Sequence, residues 1–155
     1  MSSGIFNAMD VAASGMTAQR TRMDIISQNI ANVNTTRDEN GDVYKRQTVV
    51  FSENSNVTFD SVLSNKLQTY QAHGVKISAI VEDTSDGILA YDPTHPDADE
   101  NGYVEYPNVN TVTEMTNLID ASRSYEANAT AFNAAKAMAS KGLELLQKLR
   151  MQLGR

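Results

Sequence analysis

Asp97, Asp99, Asn101 and Gly102 stand at the spacing of the opening half of a calcium loop, D-x-[DN]-x-[DN]-G, in which alternate carboxylate and amide oxygens converge on one cation. Closing such a loop takes a bidentate Glu at the twelfth position, and here that position is Asn108. The residues entering it, Pro93-Thr94-His95-Pro96, do not form a helix either, so the segment reads as an acidic surface loop ended by an Asn-Gly turn. His73 and His95 are the only histidines, neither in H-x-x-x-H nor H-E-x-x-H spacing, and there is no cysteine, which leaves zinc without a ligand set. A nucleophile elbow of the G-x-S-x-G type is missing, as are the G-x-x-x-x-G-K-[ST] and G-x-G-x-x-G loops that cradle phosphates. No metal, cofactor or catalytic role is expected of these residues, and the chain is not read as an enzyme.

The strongest pattern lies elsewhere, at the two ends. Ile5, Met9, Ala12, Met16, Gln19, Met23, Ile26, Ile30 and Val33 follow a 4, 3, 4, 3 spacing in which only Gln19 is polar. Leu118, Ala121, Tyr125, Asn128, Phe132, Ala135, Ala139, Gly142, Leu146, Leu149 and Leu153 repeat it near the other end. Such spacing is the a/d seam of a coiled coil, and single polar residues such as Gln19 and Asn128 are of the kind that set register at some cost in stability. Met115, Ile119, Leu143 and Leu145 fall off the second seam and imply further helical neighbours.

The N-terminal pattern predicts one helix from Ser2 or Ser3 to about Asn32, weakened by Gly4 and Gly15 by about 1 kcal/mol each if interior. A second helix is expected from between Val109 and Thr113 to the end, with Asn110, Thr111 and Thr113 as candidate caps and Glu114 favourable in the first turn. Between them, Val43–Phe51, Gly74–Val81, Ile88–Tyr91 and Tyr103–Tyr106 read as short strands, the first following an Asn40-Gly41 turn signal. Leu63, Leu67 and Tyr70 suit either a short helix or a loop. The expected fold is mainly α with a small β-rich insert: an N-terminal coiled-coil helix over residues 1–35, a β-rich middle over 36–108, and a C-terminal coiled-coil helix over 109–155.

Charge divides along the same lines. Of 13 basic and 19 acidic side chains, residues 36–108 hold 5 and 13, while residues 1–35 balance and residues 109–155 carry 6 against 4. Near-neutral ends can approach one another while the acidic middle keeps the particle soluble. Without a Lys/Arg cluster the chain suits no nucleic-acid backbone. No run of 18 apolar residues exists to span a membrane, and Asp10, together with a first basic residue as late as Arg20, argues against an ordinary cleaved signal.

From the residues alone, the two stripes fit either a self-assembling structural subunit or a soluble helical adaptor or chaperone-like binding module that holds one partner helix. Ser27-Gln28-Asn29-Ile30-Ala31-Asn32-Val33-Asn34-Thr35 resembles the S-x-N-I-A-N-x-x-T signature of bacterial flagellar axial proteins. Tyr44-Lys45-Arg46-Gln47, Tyr91-Asp92-Pro93, His95-Pro96-Asp97-Ala98-Asp99, Tyr106-Pro107-Asn108-Val109-Asn110, Glu114-Met115 and Ala121-Ser122-Arg123-Ser124-Tyr125-Glu126-Ala127-Asn128 are similar to the proximal-rod branch of the flagellar basal-body rod protein family.

That resemblance implies a periplasmic rod subunit, exported without a cleaved signal by the flagellar type III apparatus. Its neighbours would be other rod proteins, copies of itself and the rod-to-MS-ring adaptor. The terminal helices would form an antiparallel coiled coil continued into a multi-subunit helical tube, which transmits torque and surrounds the export channel. The residues expected at assembly interfaces are Ile5, Met9, Met16, Met23, Ile26, Asn29, Ile30, Asn32, Val33, Leu118, Tyr125, Asn128, Phe132, Leu146, Leu149 and Leu153.

Overall fold

The apolar stripes at both ends do form helices, and among the described residues the segments between them form two small sheets. In the computed structural model, which describes residues 2–37, 41–54 and 73–153, the order is α1 (Ser2–Ala31), β1 (Gln47–Glu53), β2 (Val75–Glu82), β3 (Ile88–Tyr91), β4 (Tyr103–Tyr106) and α2 (Thr111–Leu153). The reading of Leu63, Leu67 and Tyr70 falls outside the described residues, as do Asn40 of the turn signal and the side chains of Ser2, Ser3 and Leu153.

Helix α1 stops where the signature's second asparagine stops it. The Asn32 side-chain amide donates to the Gln28 carbonyl at 2.9 Å, while Asn32 Oδ1 accepts from the Thr35 hydroxyl and its carbonyl from the Thr35 amide. These bonds occupy carbonyls that a helix end otherwise leaves open. Helix α2 starts on Asn110, whose Oδ1 accepts from the Thr113 amide at 3.0 Å as an N-cap. Glu114 lies in the first turn, as expected from its charge. Its side chain turns inward and is fully buried.

The chain packs as two compact units through which both helices run. One comprises Met1–Ala18, Phe51–Lys76 and Ser124–Arg155. Within it α1 and α2 meet at Gly15, where an added Cβ would lie 2.7 Å from Asn128 Oδ1, and Ala12, Ala18 and Ala135 are buried. Gly74, just before β2, lies against Ser14, whose hydroxyl donates to the Val11 carbonyl and accepts from the Val75 amide at 3.0 Å.

The other unit comprises Gln19–Val50 and Ile77–Arg123. Its core holds Ile25, Ile26, Val104, Val109 and Ala121. Strands β3 and β4 pair antiparallel with Ile88 opposite Tyr106, Leu89 opposite Glu105, Ala90 opposite Val104 and Tyr91 opposite Tyr103. Alternation across the ladder sets Val104 into the core while Leu89 and Tyr91 face out, and Tyr91 and Tyr103 meet edge to face at 5.3 Å. The acidic loop joining these strands is tied internally. Asp99 Oδ1 accepts from the amides of Asn101 and Tyr103, Gly102 takes φ +81°, and Asp97 is held by the Thr36 hydroxyl and by Arg37 Nε, each at 2.7 Å. Amide hydrogen bonds, chiefly that of Tyr103, lower the Asp99 pKa.

The second sheet pairs β1 with β2. Strand β1 begins at Gln47 rather than Val43, because the backbone and side chains of Tyr44 and Arg46 are engaged elsewhere.

Candidate functional site

Each helix turns one line of residues inward. On α1 the deepest positions are Ala12, Gly15, Ala18, Ile25, Ile26 and Asn29, a line centred on Gly15 and Asn29. Ile26 lies within it, whereas Ile5, Met9, Met16, Met23, Ile30, Asn32 and Val33 are half-buried along its edges or ends. On α2 the buried line steps by sevens through Glu114, Ala121 and Ala135, with half-buried Asn128 between the last two. Leu118, Tyr125 and Phe132 flank it, half-buried. The pattern then ends: Leu146 is 64% exposed and Leu149 54%, and Leu143, Leu145 and Met151 beside them are also open.

Two glycine- or asparagine-centred meetings join the helices, one in each unit. At the first, Gly15 lets the α1 backbone sit directly on Asn128. The second is a buried polar cluster in the unit of Gln19–Val50 and Ile77–Arg123. Asn29 is fully buried and uses all its side-chain capacity. Its Oδ1 accepts from the Gln47 amide and the Tyr44 hydroxyl, both at 2.9 Å. Its Nδ2 donates to the Gln47 carbonyl at 2.8 Å and to Glu114 Oε2 at 3.0 Å. Two donors on one side and two acceptors on the other fix the orientation of the amide.

Glu114 completes the cluster. Its Oε1 accepts from Arg46 Nε at 3.0 Å and Nη2 at 2.7 Å, and from Asn117 Nδ2 at 3.3 Å. Arg46 also donates through Nη1 to the Thr48 hydroxyl and stands 3.9 Å from Asp83. Its backbone amide donates to Asn108 Oδ1 and its carbonyl accepts from the Asp83 amide at 2.7 Å. Burial, and then the carboxylates of Glu114 and Glu82, raise the pKa of the Tyr44 hydroxyl. A charge buried this fully is tolerable because a guanidinium and two amides meet it.

The sequence reading placed Asn29 at an interface but did not join it to Tyr44, Arg46 or Glu114. A signal was present, since Asn29, Tyr44-Lys45-Arg46-Gln47, Asn108 and Glu114 all lie in the motifs that carried the family resemblance. The chemistry of the cluster is to join segments far apart in the chain. Among the described residues, no group of three or more His, Cys, Asp or Glu could hold a metal ion, and no helix is long and apolar enough to cross a membrane.

Comparison with known proteins agrees with that joining role. Residues 9–37 match the family model for flagella basal body rod proteins, and residues 100–145 match that for the flagellar basal body rod FlgEFG protein C-terminal region. The two matches contain both helix partners of the cluster, Asn29 and Glu114. The chain is 44% identical over 150 residues to the flagellar basal-body rod protein FlgC of Borreliella burgdorferi, covering 93% of this chain and 99% of that one. It is 46% identical over 145 residues to FlgC of Bacillus subtilis (90% and 97%) and 36% identical over 143 residues to FlgC of Escherichia coli O157:H7 (92% and 98%). The chain belongs to the FlgC family of flagellar basal-body rod proteins and is a structural subunit of the rod rather than an enzyme.

Proposed function

We propose that the two terminal helices pair as an antiparallel coiled coil whose remaining apolar surface is completed by neighbouring subunits, so that copies and other rod proteins build an open helical tube. The register of the helix pair supports the antiparallel arrangement. Moving 14 residues forward on α1, from Gly15 to Asn29, corresponds to moving 14 back on α2, from Asn128 to Glu114. Fourteen residues are two heptads, the period of both seams.

One observation carries the assembly reading: Leu146 and Leu149 hold seam positions on an unbroken helix yet are 64% and 54% exposed. With Leu143, Leu145 and Met151 beside them, they leave an apolar helix end that a lone subunit does not cover. A heterologous contact that does not close extends into a filament, which suits a shaft. In this reading residues 36–108 form the outward body, the tube transmits torque and surrounds the export channel, and the proximal neighbours include the rod-to-MS-ring adaptor. Subunits would reach the periplasm through the flagellar type III apparatus without a cleaved signal.

The test is Leu146→Asp combined with Leu149→Asp. Both side chains are exposed in the isolated chain, so the variant should fold and melt like the wild type while failing to complement a motility-negative deletion strain. Ile26→Asp, by contrast, should lower the melting temperature of the isolated chain, because it buries an unpaired charge. Normal swimming and intact rods with the Leu146/Leu149 variant would overturn the proposal.

A further inference from the structure

We infer that the cluster of Asn29, Tyr44, Arg46 and Glu114 is a register lock, which selects one alignment of α1 on α2 and ties that alignment to the start of β1. Beyond Glu114, the line of α2 at intervals of seven carries buried Ala121, half-buried Asn128 and buried Ala135. Packing along the alanines of that line changes little when the partner slips by one heptad, and the close approach of Gly15 to Asn128 is the packing contact that opposes a slip. Apolar contact alone therefore discriminates poorly between neighbouring registers.

Glu114 breaks that near-degeneracy, since it is the one carboxylate on the line. A slip of one heptad would set Asn29 against Ala121 and leave both the Asn29 amide and the Glu114 carboxylate without each other, buried. Losing a buried polar partner costs far more than a formed pair gains, so the polar contact acts mainly by penalising wrong alignments. A single polar position setting register in a helical seam is the best-attested use of such groups.

The lock reaches beyond the helix pair. Gln47 is the first residue of β1, and both its amide and its carbonyl are held by Asn29. The preceding residue, Arg46, clasps Glu114 through its guanidinium, while its own backbone is bonded to Asn108 and Asp83. The alignment of the helices and the position at which β1 begins are therefore set by the same four side chains.

Removing the charges in pairs separates specificity from stability. Glu114→Leu alone strands the Arg46 guanidinium and should lower the melting temperature of the full chain by roughly 10 °C. Arg46→Met with Glu114→Leu keeps every bond of Asn29 to Gln47 and Tyr44, and should melt at or above the wild type. Because the chain has no cysteine, Asp24→Cys and Thr116→Cys accept spin labels cleanly, and dilution with unlabelled chain keeps the measured distances intramolecular. Double electron–electron resonance should show one narrow distance in the otherwise wild-type chain. In the Met/Leu double variant a second population should appear, displaced along the helix by roughly 10 Å, one heptad at 1.5 Å per residue.

Either of two results overturns the inference. One narrow, unchanged distance in the double variant would mean that packing fixes the register unaided. A double variant that melts no higher than Glu114→Leu, or does not fold, would make the cluster a net stabiliser instead.

Discussion

Replacing Gly15 by Ala opposes two effects of known sign. Inside a helix the change should stabilise by about 1 kcal/mol, because Ala loses less conformational freedom than Gly. The structure predicts the reverse outcome here. The new Cβ would sit 2.7 Å from Asn128 Oδ1, 2.8 Å from Cγ and 3.0 Å from Nδ2, well inside van der Waals contact. To clear it, the Asn128 amide must swing away from the Ser124 carbonyl, to which it donates at 2.8 Å, losing about 1 kcal/mol. Residual overpacking adds about 1–3 kcal/mol.

The net expectation is a destabilisation of roughly 1–3 kcal/mol, or a fall of several degrees in melting temperature for a chain of this size. Circular dichroism at the helical band measures it. Gly142→Ala isolates the propensity effect, since nothing lies within 4 Å of a Cβ there and α2 should gain up to about 1 kcal/mol. Pairing Gly15→Ala with Asn128→Ala removes the clash and should restore or exceed wild-type stability. A Gly15→Ala chain that melts as high as Gly142→Ala would refute the close approach of α1 to α2 at this point.

Three further outcomes follow from the cluster and the β3–β4 turn. Asn29→Asp turns the amide that donates to Glu114 Oε2 into a second carboxylate, so melting should fall by roughly 10 °C at neutral pH. One carboxyl of that pair would keep its proton in the folded chain, its pKa raised above the unfolded value of about 4, so part of the loss should return as pH drops toward 5; equal melting of variant and wild type at pH 7 would contradict this. The raised pKa of Tyr44 places the loss of its hydrogen-bonding contribution above the ordinary phenol pKa of 10.0, with the stabilisation fully present below that value. Ultraviolet titration of Tyr44→Phe should therefore lose a phenolate component that titrates above 10.0, and a difference curve centred on 10.0 would count against the buried placement. Gly102→Ala meets φ +81° with Tyr91 Cε2 at 3.0 Å and Pro93 Cβ at 3.1 Å, and should cost about 1–3 kcal/mol in chemical denaturation; an unchanged midpoint would contradict the turn.

Much of the architecture could be read from local pattern. Seven-residue spacing gave both helices, because a stripe at that period is buried only by a helix, and the start of α2 was bracketed by three candidate caps, Asn110, Thr111 and Thr113, of which Asn110 serves. Ile88–Tyr91 and Tyr103–Tyr106 were legible as strands for the same local reason, being short runs of strand formers bounded by turn residues. The exposure of Met115, Ile119, Leu143 and Leu145 matched their off-seam phase, although Leu146 and Leu149 on the seam are open as well.

What the sequence by itself determined is therefore the helices, the short strands and, through its signature residues, the family. Only the tertiary structure decided which face of each helix is covered, since a helix of this amphipathicity offers several neighbouring stripes and the choice depends on what packs against it. Gly15 looked like a defect until Asn128 lay on it, and Glu114 looked like no more than a favourable first-turn charge until Asn29 and Arg46 enclosed it. Contacts between residues 85 and 68 positions apart carry no periodic trace, because their partners are set by where the chain returns and not by neighbouring side chains.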